Sequence, residues 1–201
     1  DMAAQNGKAI SFMAKLNTVE AGNGFHVHTS LWDFEGKKNL FWDSSRNRGS
    51  KVFHQFLGGL LKYSRELTYF FAPTINSYKR YQAGSWAPTA IVCGHDNRTC
   101  GYRVVGSGDS LRIENRMPGA DANPYLAFAL MLAAGLEGIA QGYELPEPME
   151  EDIFQMDEAE RKERGIQSLP GSLNEAIREC EQSELVRKTL GDHICRKFIE
   201  N

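Results

Sequence analysis

The sequence has few cysteines and little excess charge. Four cysteines in 201 residues, none in a CxxC pair, are too few for a disulfide scaffold and lack metal-ligand spacing. A net charge of −3 gives no electrostatic basis for binding nucleic acid or a membrane surface. We also find no apolar run long enough to cross a bilayer and no pattern typical of a secretion signal. These absences favour a reduced, cytoplasmic protein with neither a nucleic-acid nor a membrane partner.

The length and the order of the patterns predict a single α+β domain. A chain of 201 residues can bury one good core, and its 41% apolar content is ordinary for a globular protein. Strand-like stretches come first and helix-like stretches follow, which favours α+β over a doubly wound parallel sheet. The chain opens without an obvious start and closes inside a helical pattern, so we expect a piece of a longer polypeptide.

Strand-like sequence dominates the first part of the chain. The short apolar run at 9–16 predicts a buried strand. Residues 25–32 alternate, so His26 and His28 are expected on one strand face. Residues 75–118 alternate short apolar runs with turns and predict further strands and loops.

Helical patterns follow in four places. Residues 51–71 have helical periodicity up to Pro73, which marks the end. Residues 125–140 follow a capping Asp or Asn and a proline; they are apolar nearly all round, which predicts a buried helix. A short helix is expected near 157–164, and the capping box at 172–175 opens a last helix or helix pair.

Two histidines and a serine form the first candidate site. His26, His28 and Ser30 lie two apart, and on a strand they would point the same way. That arrangement suits a metal ion or a nucleotide. The alternative is a pair of exposed or hydrogen-bonded histidines, which is the commoner outcome for an isolated HxH motif.

Charged residues two apart form the second candidate site. Arg112, Glu114 and Arg116 would share a strand face, where the carboxylate could hold a hard divalent cation and an arginine could clamp a carboxylate or phosphate. Taken alone, cross-strand ion pairs on a solvated face are the better interpretation.

Basic residues on turns form the third candidate site. Lys79, Arg80, Arg98 and Arg103 could converge to neutralise a phosphoryl group, or they could be ordinary surface charge. The glycine-rich segment 106–110 lacks the spacing and the lysine of a phosphate-binding P-loop, and we interpret it as a hairpin turn.

Four ordered stretches together resemble the glutamine synthetase family. They are GNGFHVHTSLWD (22–33), APTINSYKR (72–80), DNRTCGYRVV (96–105) and RIENRMPGADANPYLAFALMLAAGLEGI (112–139). The resemblance implies that residues 1–201 are the C-terminal part of the catalytic domain, without the N-terminal domain. It implies a curved antiparallel sheet packed against helices as a partial barrel. It also implies a homo-oligomeric, dodecamer-like ring for the full-length parent.

The resemblance further implies an ATP-dependent ligase that phosphorylates glutamate and transfers it to an amine or ammonia, with Mg2+ or Mn2+. The residues carried over are His26 and Glu114 for metal; His28, Ser30, Arg98 and Arg103 for ATP; and Gly22, Arg80 and Arg116 for glutamate. Arg98 and Arg80 match catalytic arginines, and Arg98 is the stronger candidate for stabilising the transition state.

Three departures from the family pattern matter. Trp86 stands where glutamine synthetases carry the glutamate that binds and deprotonates ammonium, which favours a larger amine, as in relatives that glutamylate polyamines or other amines. Asp109 stands where a lysine contacting ATP is common. The family's other metal-binding glutamates would lie upstream, so we predict that the isolated chain is inactive.

Three functions remain open at this point. The first is a γ-glutamyl-amine ligase, and the second is an ordinary glutamine synthetase that tolerates Trp86. The third is a non-catalytic relative that retains only the fold. Retention of Arg98, Arg103, Arg116, His26 and Glu114 argues against the third, because a non-catalytic protein would not need them all.

Overall fold

Short strands and longer helices make up the computed structural model, which describes residues 1–82 and 85–200. The strands are β1 Val27–Thr29, β2 Trp42–Asp43, β3 Arg48–Gly49, β4 Cys93–His95, β5 Tyr102–Val105 and β6 Arg112–Asn115. The helices are α1 Met2–Gln5, α2 Lys51–Phe71, α3 Ile75–Arg80, α4 Pro124–Gln141, α5 Glu158–Glu163, α6 Leu173–Glu181 and α7 Glu184–Glu200. The α+β prediction is confirmed.

Four of the strands form one open sheet in the order β1-β6-β5-β4. The β1–β6 and β6–β5 pairs are antiparallel, whereas β5 and β4 are parallel. The sheet is therefore mostly antiparallel, with one parallel pair at the β4 edge, and it is not closed. The turn between β5 and β6 holds a short 3₁₀ helix at Gly108–Ser110, as expected for a hairpin connection.

Helices α2 and α4 pack directly against each other beneath the sheet. Helix α2 begins after Ser50, whose side chain accepts a hydrogen bond from the Phe53 amide, and it ends just before Pro73. Glycines allow the two helix backbones to touch. A Cβ at Gly59 would lie 2.1 Å from the carbonyl oxygen of Ala134, and one at Gly138 would lie 2.7 Å from the Cα of Gly59. The two helices together form the layer against which the sheet packs.

Helix α4 is buried on one face only. Asn123 caps its start and Gly142, with φ of 70°, ends it. Its length and composition alone would let it cross a bilayer, contrary to the sequence-based expectation. It is nevertheless a helix of the core, because its inner face packs against α2. The predicted burial all round is wrong, since Tyr125, Phe128, Leu132 and Leu136 are exposed.

Two other expectations are corrected. The run at 9–16 forms no strand, and Ile10, Phe12 and Leu16 are exposed. Its apolar side chains have no sheet to pack against in the described residues. Within 75–118 the chain first forms helix α3, because Thr74 and Ser77 make a reciprocal capping box that the strand-like pattern concealed.

The C-terminal helices agree with the sequence patterns. Helix α5 lies where a short helix was expected, and Ser172 caps α6 by accepting from the Glu175 amide. The Glu175 side chain accepts from the Gly171 amide, so the capping box is only half formed. Helix α7 is kinked at Gly191, which has φ of 77°.

Candidate functional site

Strand register brings three of the candidate residues together. Glu114 on β6 is directly opposite His28 on β1 and directly opposite Arg103 on β5. Directly paired residues share a sheet face, so their side chains meet. Residues of all three candidate sites therefore meet in one site.

The Glu114 carboxylate is the centre of this cluster. It is 3% exposed. Arg116 donates to Oε1 at 2.8 Å, and Arg103 donates to Oε2 at 2.9 Å. The His26 Nδ1 atom lies 3.1 Å from Oε1, while the His28 Nε2 atom is 3.9 Å away. Burial would raise the pKa of Glu114, but the bond from Arg103 and the charges of Arg116 and His26 outweigh it and lower the pKa.

The surroundings of His26 disfavour its protonation. Partial burial and the neighbouring Arg116 charge lower the pKa of His26, and the opposing effect of Glu114 is smaller. A neutral imidazole keeps a ring nitrogen lone pair that can coordinate a metal ion. His26 and Glu114 are thus adjacent donors of the kinds that bind divalent cations.

Arg80 is packed against the same cluster from helix α3. It is 4% exposed, and it donates to the carbonyl oxygens of Met117 at 2.6 Å and Arg116 at 3.1 Å. A Cβ at Gly24 would lie 2.9 Å from both Arg80 Nη2 and His26 Nε2, and one at Gly22 would lie 3.0 Å from Arg80 Cγ. A side chain at Gly22 would crowd Arg80, and one at Gly24 would crowd both Arg80 and His26.

The remaining arginines and Ser30 lie around the edge of the cluster. The Arg116 Nε donates to the backbone carbonyl of Arg98 at 3.1 Å, and the Arg98 side chain is exposed. Ser30 accepts from the Trp32 indole at 2.9 Å. Arg112 was expected on the same strand face as Glu114. Its Nε atom donates to His28 Nδ1 at 3.1 Å.

Sequence reasoning missed Asp96. Its carboxylate accepts from Arg103 Nε at 2.9 Å, on the side of that arginine away from Glu114. The parallel pairing of β4 and β5 brings the end of β4 beside Arg103. Only that pairing, which the sequence patterns did not indicate, could have identified the contact.

Trp86 stands apart from the carboxylate cluster and lines a cavity of about 490 Å³. Its side chain is largely exposed, and its ring meets Phe154 at a centroid distance of 6.3 Å. Gly84, which precedes it in the same loop, lies outside the described residues.

The donors present fit part of a metal site. Among residues 1–82 and 85–200, no three His, Cys, Asp or Glu side chains are grouped so that they could hold one ion. His26 and Glu114 supply two adjacent donors, whereas Mg2+ usually needs six oxygen-type ligands in octahedral geometry. Further ligands would have to come from water, substrate phosphates or other parts of a protein.

Comparison with known proteins identifies the family of this chain. The family model for the glutamine synthetase catalytic domain matches residues 1–201. A gamma-glutamylethanolamide synthetase of Streptomyces coelicolor is 47% identical over 198 residues, which are 98% of this chain and 40% of that protein. A glutamine synthetase of Methanococcus voltae is 40% identical over 99% of this chain and 45% of its own length.

A solved structure has the same fold. The GmaS/ADP complex superposes with a TM-score of 0.83 at 35% identity, covering 94% of this chain and 44% of that one. This chain thus spans less than half the length of the relatives it matches. Because the family model covers every residue and the relatives match nearly the whole chain, the protein belongs to the glutamine synthetase family, within its catalytic domain.

Proposed function

We propose that this chain is the catalytic C-terminal part of an ATP-dependent ligase that joins the γ-carboxylate of glutamate to an amine. The γ-carboxylate oxygen attacks the terminal phosphorus of ATP and releases ADP. The amine nitrogen then attacks the carbonyl carbon of γ-glutamyl phosphate, loses a proton and displaces phosphate. The observation that carries the proposal is the contact of His26 with Glu114 among Arg80, Arg103 and Arg116.

Each residue of the cluster has a role that its contacts support. His26 and Glu114 would hold Mg2+ or Mn2+, which when bound neutralises charge on the transferring phosphoryl group. Arg116 and the buried Arg80 would bind the glutamate carboxylate, with Gly22 in the turn beside Arg80. An arginine can bind a carboxylate through two parallel hydrogen bonds, and this arrangement would fix the orientation of the substrate.

The nucleotide would lie beside Glu114 over the same sheet face. His28 on β1 and Arg103 on β5 are directly opposite Glu114, Ser30 follows β1, and the exposed Arg98 side chain would reach the phosphates. Arg98 and Arg80 would then stabilise negative charge on the pentacoordinate phosphorus and on the tetrahedral carbon. The ADP named in the GmaS complex supports a nucleotide site in this fold.

The acceptor would be an amine larger than ammonia. Trp86 offers an apolar wall and a π-face, which attract an alkyl-ammonium ion more than they attract ammonia. A relative 47% identical is named a gamma-glutamylethanolamide synthetase, which supports such an acceptor. The alternative is that the acceptor is ammonia, which is supported by relatives named glutamine synthetase.

The assembly and location of the protein are part of the same proposal. A cytoplasmic, dodecamer-like ring of full-length subunits would let neighbouring chains complete each site. The two donors described here are too few to hold a divalent cation tightly by themselves. We therefore expect the isolated chain to be inactive, and ATP-dependent ligation by it would overturn this expectation.

One experiment tests the proposed function. The full-length polypeptide containing this chain is incubated with ATP, Mg2+, glutamate and either ammonium or a primary amine, and ADP and the γ-glutamyl product are quantified. We expect product with an amine and a loss of activity in Glu114→Gln. No product with ammonium or any amine would refute a ligase, and a clear preference for ammonium would establish ordinary glutamine synthetase activity.

A further inference from the structure

A second aromatic side chain lies against Trp86 and lines the same cavity. Phe154 meets the indole edge to face, with ring planes at 90°. It comes from a segment about 70 residues further along the chain, between α4 and α5. We propose that Phe154 is a specificity-determining residue that forms the second wall of the acceptor pocket and, with Trp86, selects a primary monoamine with a short carbon chain. This inference rests on the proposed function.

The loop that carries Trp86 is attached to the candidate site. The Ser85 hydroxyl donates to the carbonyl of Arg80. Tyr81, which also lines the cavity, donates from its hydroxyl to the Met117 carbonyl at 2.9 Å, the same oxygen that accepts from Arg80. Tyr81 therefore connects the cavity to the carbonyl oxygen that Arg80 also binds.

The segment that carries Phe154 is attached to the other side of the site. The Ile153 amide donates to the Thr99 hydroxyl at 3.0 Å, next to Arg98. The Asn97 side chain donates to the carbonyls of Met149 and Glu151 at 2.9 and 2.8 Å. Both walls of the cavity are therefore bonded to segments that bear proposed catalytic arginines.

Hydrogen bonds hold the backbone that carries the Phe154 ring. The 3₁₀ turn Ile153–Gln155 is capped by Asp152, whose carboxylate accepts from the Phe154 amide at 2.9 Å. Arg161 donates to the Ile153 carbonyl at 2.7 Å. Trp86 has a φ of 61°, which a bulky residue rarely adopts and which often marks functional positions. Local structure thus defines the backbone at both aromatic residues.

Size and charge define the ligand class. A cavity of about 490 Å³ would leave ammonium surrounded by water, because one water occupies only about 30 Å³ of liquid. Two aromatic faces at a right angle can contact both an ammonium group and a short alkyl chain. Among the described residues that line the cavity, Asp152 and Arg161 are the charged ones, and their charges offset each other. The lining therefore has no excess negative charge that would bind a second ammonium group.

The test measures acceptor kinetics of the full-length polypeptide that contains this chain. The panel is ammonium, ethylamine, propylamine and 1,4-diaminobutane. We expect wild type to prefer the two monoamines. Phe154→Leu should lower kcat/KM for monoamines about tenfold, mainly through KM for the amine, because removing one aromatic contact costs about one power of ten. KM for ATP and glutamate should stay unchanged.

Matched variants separate this effect from a fault in folding. Phe154→Tyr keeps the ring and should retain the wild-type preference. Phe34→Ala removes a fully exposed phenylalanine from a surface turn and should change nothing. If the leucine variant unfolds, Phe154→Met keeps the volume without the ring and replaces it.

The outcomes distinguish this inference from the proposed function. No ligation by wild type with any acceptor would refute the proposed function itself. An active wild type whose amine KM is unaffected in Phe154→Leu would refute the role of Phe154 alone. A preference for the diamine over both monoamines would refute the ligand class.

Discussion

Replacing Glu114 by glutamine tests the ionic centre of the site most directly. The change preserves side-chain size but removes the charge that faces Arg103 and Arg116 at 2.9 and 2.8 Å. Both arginines are nearly buried, so they would be left with little solvation. We expect a lower free energy of unfolding and loss of ligase activity together.

The magnitude follows from the contacts. Removing one partner of a buried ion pair costs about 3–5 kcal/mol. Arg103 would still be paired with the exposed Asp96, and Arg116 would still bond to the Arg98 carbonyl. We therefore expect the lower end, about 3 kcal/mol. With an m-value of about 2 kcal/mol/M in urea, the midpoint should fall by about 1.5 M.

The assay is urea unfolding followed by circular dichroism, with a chelator present so that no divalent ion binds Glu114. Asp96→Asn is the control, because it removes an exposed partner of the same Arg103 and should cost less than about 1 kcal/mol. Equal midpoints for Glu114→Gln and Asp96→Asn would show that the buried carboxylate does not organise the arginines.

Three further predictions concern packing and thiols. Gly59→Ala should lower the free energy of unfolding by about 1–3 kcal/mol in thermal or urea melts, because its Cβ meets the Ala134 carbonyl and overpacking outweighs the gain in helix propensity. Tyr102→Phe should cost about 1–2 kcal/mol in the same melts, since its buried hydroxyl bonds to Ser64 at 2.9 Å. Burial raises the pKa of the Cys93, Cys100 and Cys180 thiols to about 12. At pH 8 these thiols of the native protein should therefore resist alkylation by iodoacetamide, measured by mass spectrometry.

Each of these has its own control. Gly171→Ala should be nearly neutral, because only the Glu175 side chain lies within 4 Å of the added carbon. A Tyr102→Phe variant as stable as wild type would mean that the hydroxyl contributes nothing. Alkylation should become rapid in urea, and the free energy of unfolding should fall as pH rises from about 9 towards 12, since only the unfolded thiols ionise there.

The α+β class of the fold followed from the sequence, but several of its elements did not. Strand alternation placed His26 and His28 on one strand face, and the register then set His28 directly opposite Glu114. Periodicity alone could not show that 9–16 would be exposed, because a short apolar run looks the same whether or not a sheet covers it. Helix α3 was hidden because its signal is the cap at Thr74, not its apolar pattern.

Long-range contacts were the least predictable. Nothing in the local sequence connects Phe154 with Trp86, or Asp96 with Arg103, since each pair meets only after the chain has folded. The exposed side of α4 was missed for a related reason. An all-round apolar helix is expected to be covered on every side, and the described residues cover only one side.

The position of β1 at the rim of the sheet has a practical consequence. One side of this strand carries backbone amides and carbonyls with no neighbouring strand in residues 1–82 and 85–200, and His28 lies on it. The unpaired backbone groups of such an edge strand can pair with a strand of another molecule. Copies of the isolated chain could therefore stack through β1 and block their own histidines. A measurement of molecular mass across a concentration series should accompany any report that the isolated chain is inactive.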